Sequence, residues 1–502
     1  MEFLSPEEKR SRTFRFIIGY FLIAIAVLLA SFIAVLLVQG YQISNRHGVV
    51  QNGLVNVESR PVSADIFINN KLVGQTSARF DMNEGDYSMR LKAPNYREWS
   101  KNFSLAGGSV RYFTYPKLIP DKISTFNTVE YNGTPLWASE SLDRHWIMSK
   151  TASPQPEFNV FDTTRVKSTQ ATSQNIILPN DVASPVGSSY GSFEAIEWAD
   201  DNKHILLLQT LPDGKKSYII LDREKPENSI NISKTLSLEQ SQKVTLRDKK
   251  STKFYVLNTS SGQLIKRDSK DLALNILVAN GVVAYKSYGD DLVMYVTYAN
   301  APEGYARVLV SNKINDIYNL QSVVRDSTGL YQLDMAKFDG TWYYATSSAS
   351  EKRVKIYSNP LSGVQPNTNY DSVIKPKLSL PLANPMFVSF SDNARFIGAQ
   401  SGSNFVVYDG ELKTNYRYTI KQSLAKDQKA LWMDGHRLKI VADSKSFIFE
   451  FDGTNSQELI PSLSNNSFSP YFDRDYNYVF TCQTDQAGKA ILQAGSLVVQ
   501  NN

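Results

Sequence analysis

"IEWADDNKHILLLQT", residues 196–210, followed by "SYIILDRE" at 217–224, is the phrase on which the fold turns. An aromatic residue leads into a turn of Asp and Asn, an apolar run follows, and after a polar gap a second apolar run closes on Asp222. Apolar runs this short, bounded by turn residues and rich in β-branched and aromatic side chains, read as buried strands. The phrase returns as "LWASESLDRHWIMSK" (136–150) with "FNVFDTT" (158–164), as "FVSFSDNARFIGAQSGSNFVVYDGE" (387–411), and as "LWMDGHRLKIVADSKSFIFEFDGT" (431–454). Weaker copies lie at 251–266, 281–298, 336–347 and 472–495.

The closing residues Asp162, Asp222, Asn258, Asn312, Asn359, Asp409 and Asp452 fall 36 to 60 positions apart, around the period of about 40 to 50 expected for propeller blades. One such unit cannot bury both faces of its sheet, so the units must pack face to face around an axis. A β-propeller over residues 119–502 is expected, with seven blades as the preferred count and six or eight also compatible. Helical periodicity within it is confined to short pieces at 234–243 and 422–430. The phrases "WADDNKHILLL" and "FSDNARFIGA" resemble the turn of the WD-repeat and TolB-like propellers, without that family's proline and glycine.

Upstream, Phe16 to Val38 forms 23 residues without a charge, enough at about 1.5 Å per residue to cross a hydrocarbon core of about 30 Å. Its length favours a retained transmembrane anchor over a cleaved signal peptide, although "VQG" at 38–40 leaves cleavage open. Lys9, Arg10, Arg12 and Arg15 precede the span, whereas Arg46 and His47 are the basic candidates just after it. The positive-inside rule then places residues 1–15 as a cytoplasmic tail and everything beyond a linker at 39–52 outside the membrane. With the all-β pattern downstream, this makes a single-pass protein with an all-β ectodomain.

Between linker and propeller, residues 53–118 alternate cleanly: Leu54, Val55 and Val57, then Ile66 and Ile68, then Tyr87, Met89 and Leu91. Asn69-Asn70 suits a tight turn that needs positive φ. A small antiparallel β-sandwich is expected. The order "VESRP", Ala64, "DIFINN", "LVGQT", "EGDYSMRLKAPNY" and "VRYFTYPKL" resembles the PEGA domain, although "PVSA" lacks the naming Glu and Gly and Asn95 replaces the glycine before Tyr96. The resemblance implies a surface module of a prokaryotic envelope protein and carries no catalytic residue with it.

Composition narrows the function. A net charge of +5 with basic and acidic residues interspersed lacks the concentrated basic face that nucleic acid requires. Cys482 is the single cysteine, so neither an internal disulfide nor a thiolate zinc cluster is available. "GSSYG" at 187–191 matches a nucleophile elbow in letters, but a loop precedes Ser189 and a strand follows it, the wrong context. His47, His145, His204 and His436 stand alone, the last two at equivalent places in their repeats. Asp200-Asp201 and Asp290-Asp291 lie in turns, where adjacent side chains diverge. Sequons at Asn102, Asn132, Asn231, Asn258 and Asn465 matter only in a glycosylating host.

No catalytic, cofactor or metal residues are assigned. Trp137, Trp198, Trp342 and Trp432 are the candidate binding residues, with Trp146 alongside; they either line a cleft or, as their recurrence favours, fill the contacts between blades. The function expected is that of a non-catalytic membrane-anchored envelope protein presenting its propeller to a protein, peptide or glycan, or scaffolding an assembly. The alternatives are a propeller ectoenzyme acting on glycans, as lyase or glycosidase, and a structural subunit of a secretion or cell-wall assembly.

Overall fold

A computed structural model describes residues 6–38, 41–44, 48–166, 173–313, 316–366, 373–463, 468–485 and 487–499. Arg46, His47 and Asn465, named above, lie outside these residues, as do residues 1–5 of the expected tail. The chain forms two compact units, Met1–Lys122 and Ile123–Asn502.

The first unit opens with helix α1 (Pro6–Val38), of which Arg10–Val35 is long and apolar enough to cross a membrane. None of that stretch is buried against the rest of the protein. Eight strands follow: β1 (Tyr41–Ser44), β2 (Gly48–Val57), β3 (Asp65–Ile68), β4 (Lys71–Gln75), β5 (Ala78–Asn83), β6 (Gly85–Lys92), β7 (Trp99–Leu105) and β8 (Val110–Phe113). One sheet holds β1, β2, β5 and β8, the other runs β4-β3-β6-β7.

The alternating residues Val55, Val57, Ile66, Met89, Leu91 and Trp99 are buried in one core, as the period of two requires. Asn69 and Asn70 have φ of 46° and 68°, the primed turn that the right-handed twist of a two-residue hairpin demands. Two expectations are corrected. The segment 39–52 is not simply a linker, because β1 pairs with Gly48–Gln51 of β2 through backbone hydrogen bonds that ask little of side-chain pattern. The sandwich is also not purely antiparallel, for β8 joins β2 in parallel.

The second unit is a β-propeller. Its described strands form eight successive sheets: blade 1 (135–177), blade 2 (192–231), blade 3 (242–279), blade 4 (282–319), blade 5 (331–381), blade 6 (387–419), blade 7 (431–461) and blade 8 (471–496). Each phrase recognised in the sequence contributes one blade. Eight, within the expected range, replaces the preferred seven, and the reason lies in blade 8. Its strands at Tyr471–Phe472, Tyr478–Thr484 and Ala490–Ser496 are completed by Thr125–Glu130 as the outer strand, so the last repeat looks truncated along the chain.

Neighbouring blades share apolar cores. Trp198, Phe193 and Met148 join blades 1 and 2; Val129, Phe161, Phe480 and Cys482 join blades 8 and 1. Between blades 6 and 7, Phe396 stacks on Phe451 with ring centroids 4.1 Å apart. The closing residues of the repeat also acquire a physical role. Asp162, Asp222, Asp409 and Asp452 each accept backbone N–H groups two or three residues on and so build the turn from third to fourth strand, whereas Asn258 does the same one turn earlier, between the second and third strands of blade 3.

Of the helical pieces expected at 234–243 and 422–430, only one turn forms, at Ile232–Thr235, capped by the Asn231 side chain. Residues 242–246 are strand, because an inner strand of blade 3 can bury Val244 and Leu246 there.

Candidate functional site

Among the described strands, the inner strand of each blade has no partner on its axial side, leaving N–H groups to be satisfied there. Carboxylates take up three of them at the last residue of an inner strand. Phe390 N–H donates to Asp334 Oδ2 (3.1 Å), Phe472 N–H to Glu140 Oε1 (3.0 Å), and Leu246 N–H to Glu197 Oε1. Each carboxylate is balanced by a lysine: Lys286 at 3.1 Å from Asp334, Lys439 at 3.4 Å from Glu140, and Lys249 beside Glu197. These groups line two cavities of about 610 and 390 Å³, and their charges are spent on the fold.

The candidate tryptophans separate into different environments. Trp198 and Trp432 end the inner strands of blades 2 and 7, and both are buried. Each indole N–H donates to a serine of the preceding blade, Trp198 to Ser139 (2.9 Å) and Trp432 to Ser389 (3.0 Å). Trp137 donates to the Phe193 carbonyl at 2.5 Å and packs on the core between blades 1 and 2. Arg223 covers Trp146 with its guanidinium 3.7 Å from the ring centroid.

Trp342 differs. Blade 5 turns between its first two strands on Asp339-Gly340 alone, with φ of 44° and 74°, so its second strand starts early, at Thr341. That directs Trp342 towards blade 4. There it meets Tyr288 edge-on at 4.9 Å and lies tilted to Tyr344 at 6.1 Å. With Asp291, Leu292, Asn312, Asn359, Pro360, Leu361 and Ser362, these rings enclose a groove of about 430 Å³, within the usual range of about 300 to 1,000 Å³ for small-ligand sites. Burial raises the Tyr344 hydroxyl above the ordinary phenol range, so it stays neutral. Asp291 is more than half exposed and pairs with the buried ammonium of Lys266.

The remaining motifs find structural partners. Asp200 pairs with Lys250, Asp201 with His204 (2.6 Å), and Asp290 with Arg247, so neither adjacent acid pair points at a common centre. Ser189 sits in a loop before the inner strand Ser192–Trp198 and accepts a hydrogen bond from Gly191 N–H at 3.2 Å. His145 lies 3.4 Å from Asp143. The repeat positions of His204 and His436 are offset by one: Asp201 accepts from the N–H groups of 203 and 204, Asp434 from those of 436 and 437, so His204 matches Arg437. Among the described residues no cluster of three metal-ligating side chains occurs. Sequence patterning did not single out Tyr288 or Tyr344, and it met Asp291 only as half of the turn pair Asp290-Asp291. The "DG" in "AKFDGTWYY" was the available signal, marking a tighter turn than in the other repeats.

Comparison with family models agrees with the architecture of the first unit. The family model described as the PEGA domain matches residues 52–116. None of the curated proteins is similar to the chain in sequence. Among solved structures, a functionally unknown protein from Desulfotomaculum acetoxidans is 10% identical with a TM-score of 0.36, covering 62% of this chain and 94% of its own. The β-propeller domain of Swd1 from Myceliophteria thermophila is 8% identical with a TM-score of 0.37, covering 75% and 100%. Dihydro-heme d1 dehydrogenase NirN, in complex with DHE, is 10% identical with a TM-score of 0.39, covering 64% and 66%. A PEGA domain joined to a β-propeller suggests a binding or scaffolding role.

Proposed function

We propose that this chain is a non-catalytic, single-pass membrane protein of a prokaryotic cell envelope, which holds its propeller outside the membrane to bind a partner. The observation that carries the binding role is the groove of Tyr288, Trp342 and Tyr344, an aromatic recess whose polar residues are few and placed at its rim. Helix α1 supports the anchor, and the cations at Lys9, Arg10, Arg12 and Arg15 support a cytoplasmic amino terminus. The PEGA match accords with an extracytoplasmic location.

The native cysteine makes a clean test available. Cys482 is buried and its thiol is pushed up to about 12 by that burial, so it contributes little background labelling. Ser362→Cys places a thiol at an exposed edge of the groove. In intact cells this variant is expected to react with a membrane-impermeant maleimide and to remain in the pellet after alkaline carbonate extraction. Release into the supernatant, or labelling only after permeabilisation, would overturn the assignment.

A further inference from the structure

Aromatic rings of this propeller are repeatedly matched with a cation of the same chain. Arg223 lies 3.7 Å from the Trp146 centroid, Arg325 4.0 Å from Tyr298, Arg144 4.7 Å from Tyr476, and Lys413 5.5 Å from Tyr343. Three of these bridge adjacent blades: Arg223 of blade 2 over blade 1, Lys413 of blade 6 over blade 5, and Arg144 of blade 1 over blade 8. The wedge between blades 4 and 5 has the rings without the plug. Among the described residues, Tyr288, Trp342 and Tyr344 have no lysine or arginine over them.

Resting on the reading of this groove as the recognition site, we infer that it takes a lysine or arginine side chain presented by a partner polypeptide. Tyr288 and Trp342 meet at 84°, forming two walls whose negative ring faces attract a cation entering the corner. At the rim, Asp291 spends one carboxylate oxygen on Lys266 and is 56% exposed, so it can also meet an incoming ammonium or guanidinium. Lys266 itself is 7% exposed and held by that pair, leaving little competing positive charge in the opening. The side chain of an incoming residue would repeat, between two molecules, the contact that Arg223 makes with Trp146 within one.

The test uses the full-length chain in detergent with its six tryptophans replaced by 5-fluorotryptophan, the Trp342 fluorine resonance being assigned with Trp342→Phe. Probes are acetyl-Gly-Lys-Gly-amide, its arginine and norleucine counterparts, tetramethylammonium, and methyl glucoside. The lysine and arginine peptides are expected to shift the Trp342 resonance saturably, and the norleucine peptide to bind at least about 3-fold more weakly. Tyr288→Leu keeps an apolar wall but removes one ring, and should weaken the cationic peptides about 3- to 10-fold while leaving the norleucine peptide unchanged. Unshifted Trp198 and Trp432 resonances show that this variant is folded. Equal binding of norleucine and lysine peptides, binding of tetramethylammonium alone, or no peptide response overturns the inference. A response to the glucoside without one to the peptides does so too, while leaving the groove a recognition site.

Discussion

His436 illustrates how much a single position depends on what surrounds it. Its ring lies against Phe396 (5.5 Å) and Phe451 (6.3 Å), and burial lowers its pKa to about 4; Asp434 opposes this and Arg437 adds to it. The folded state therefore prefers the neutral ring, with a pKa below the unfolded value of about 6.5. The stability tied to that preference is complete above about pH 6.5 and is lost as pH falls towards 4. Urea unfolding of the wild type and His436→Gln should show the wild type losing about 1 to 3 kcal/mol more than the variant between pH 7 and pH 4. Parallel losses would refute the assignment. In sequence this histidine and His204 look alike, and only strand register, with its one-residue offset, separates them. The turn asparagines Asn69 and Asn70, by contrast, were legible from residue type, because positive φ is a local demand.

At the scale of elements, the strand Thr125–Glu130 closes the ring. Val129 pairs with Leu492 and is buried among Phe161, Phe480 and Cys482. Val129→Asp puts a charge without a partner into that core, and should cost about 3 kcal/mol or more in chemical denaturation. Limited proteolysis should then cut near residues 125–130 while the sandwich fragment stays intact. Unchanged stability and cleavage would show that closure does not depend on this strand. Every repeated phrase became a blade, yet the eighth was incomplete to a reader of the chain, because Thr128 and Leu492 are 364 positions apart. Likewise, periodicity suggested helix at 422–430, where packing made turns.

Across the whole propeller, Arg144 is the widest tie. From blade 1 it donates to the Met433 carbonyl of blade 7 at 2.8 Å, pairs with Asp392 of blade 6, and hydrogen-bonds Tyr476 of blade 8. Arg144→Met keeps an unbranched apolar stem but takes the cation from Asp392 and Tyr476, and leaves the Met433 carbonyl only its bond from the Tyr476 hydroxyl at 3.2 Å. Loss of charged hydrogen bonds of this kind costs about 1.5 to 3 kcal/mol, which a single cooperative denaturation curve should register as a lower midpoint. If the midpoint does not move, the contacts are surface decoration.

Alone, the sequence determined the apolar span, the sandwich with its asparagine turn, and the repeated two-strand phrase of a propeller. Those follow from hydrophobic period and turn chemistry, which act over a few residues. The tertiary structure decided that there are eight blades and that Trp198 and Trp432 are inter-blade staples, whereas Trp342 opens a groove. Ring closure, and whether a wedge between blades is filled or open, depend on pairs of side chains that meet only once the sheets stand face to face.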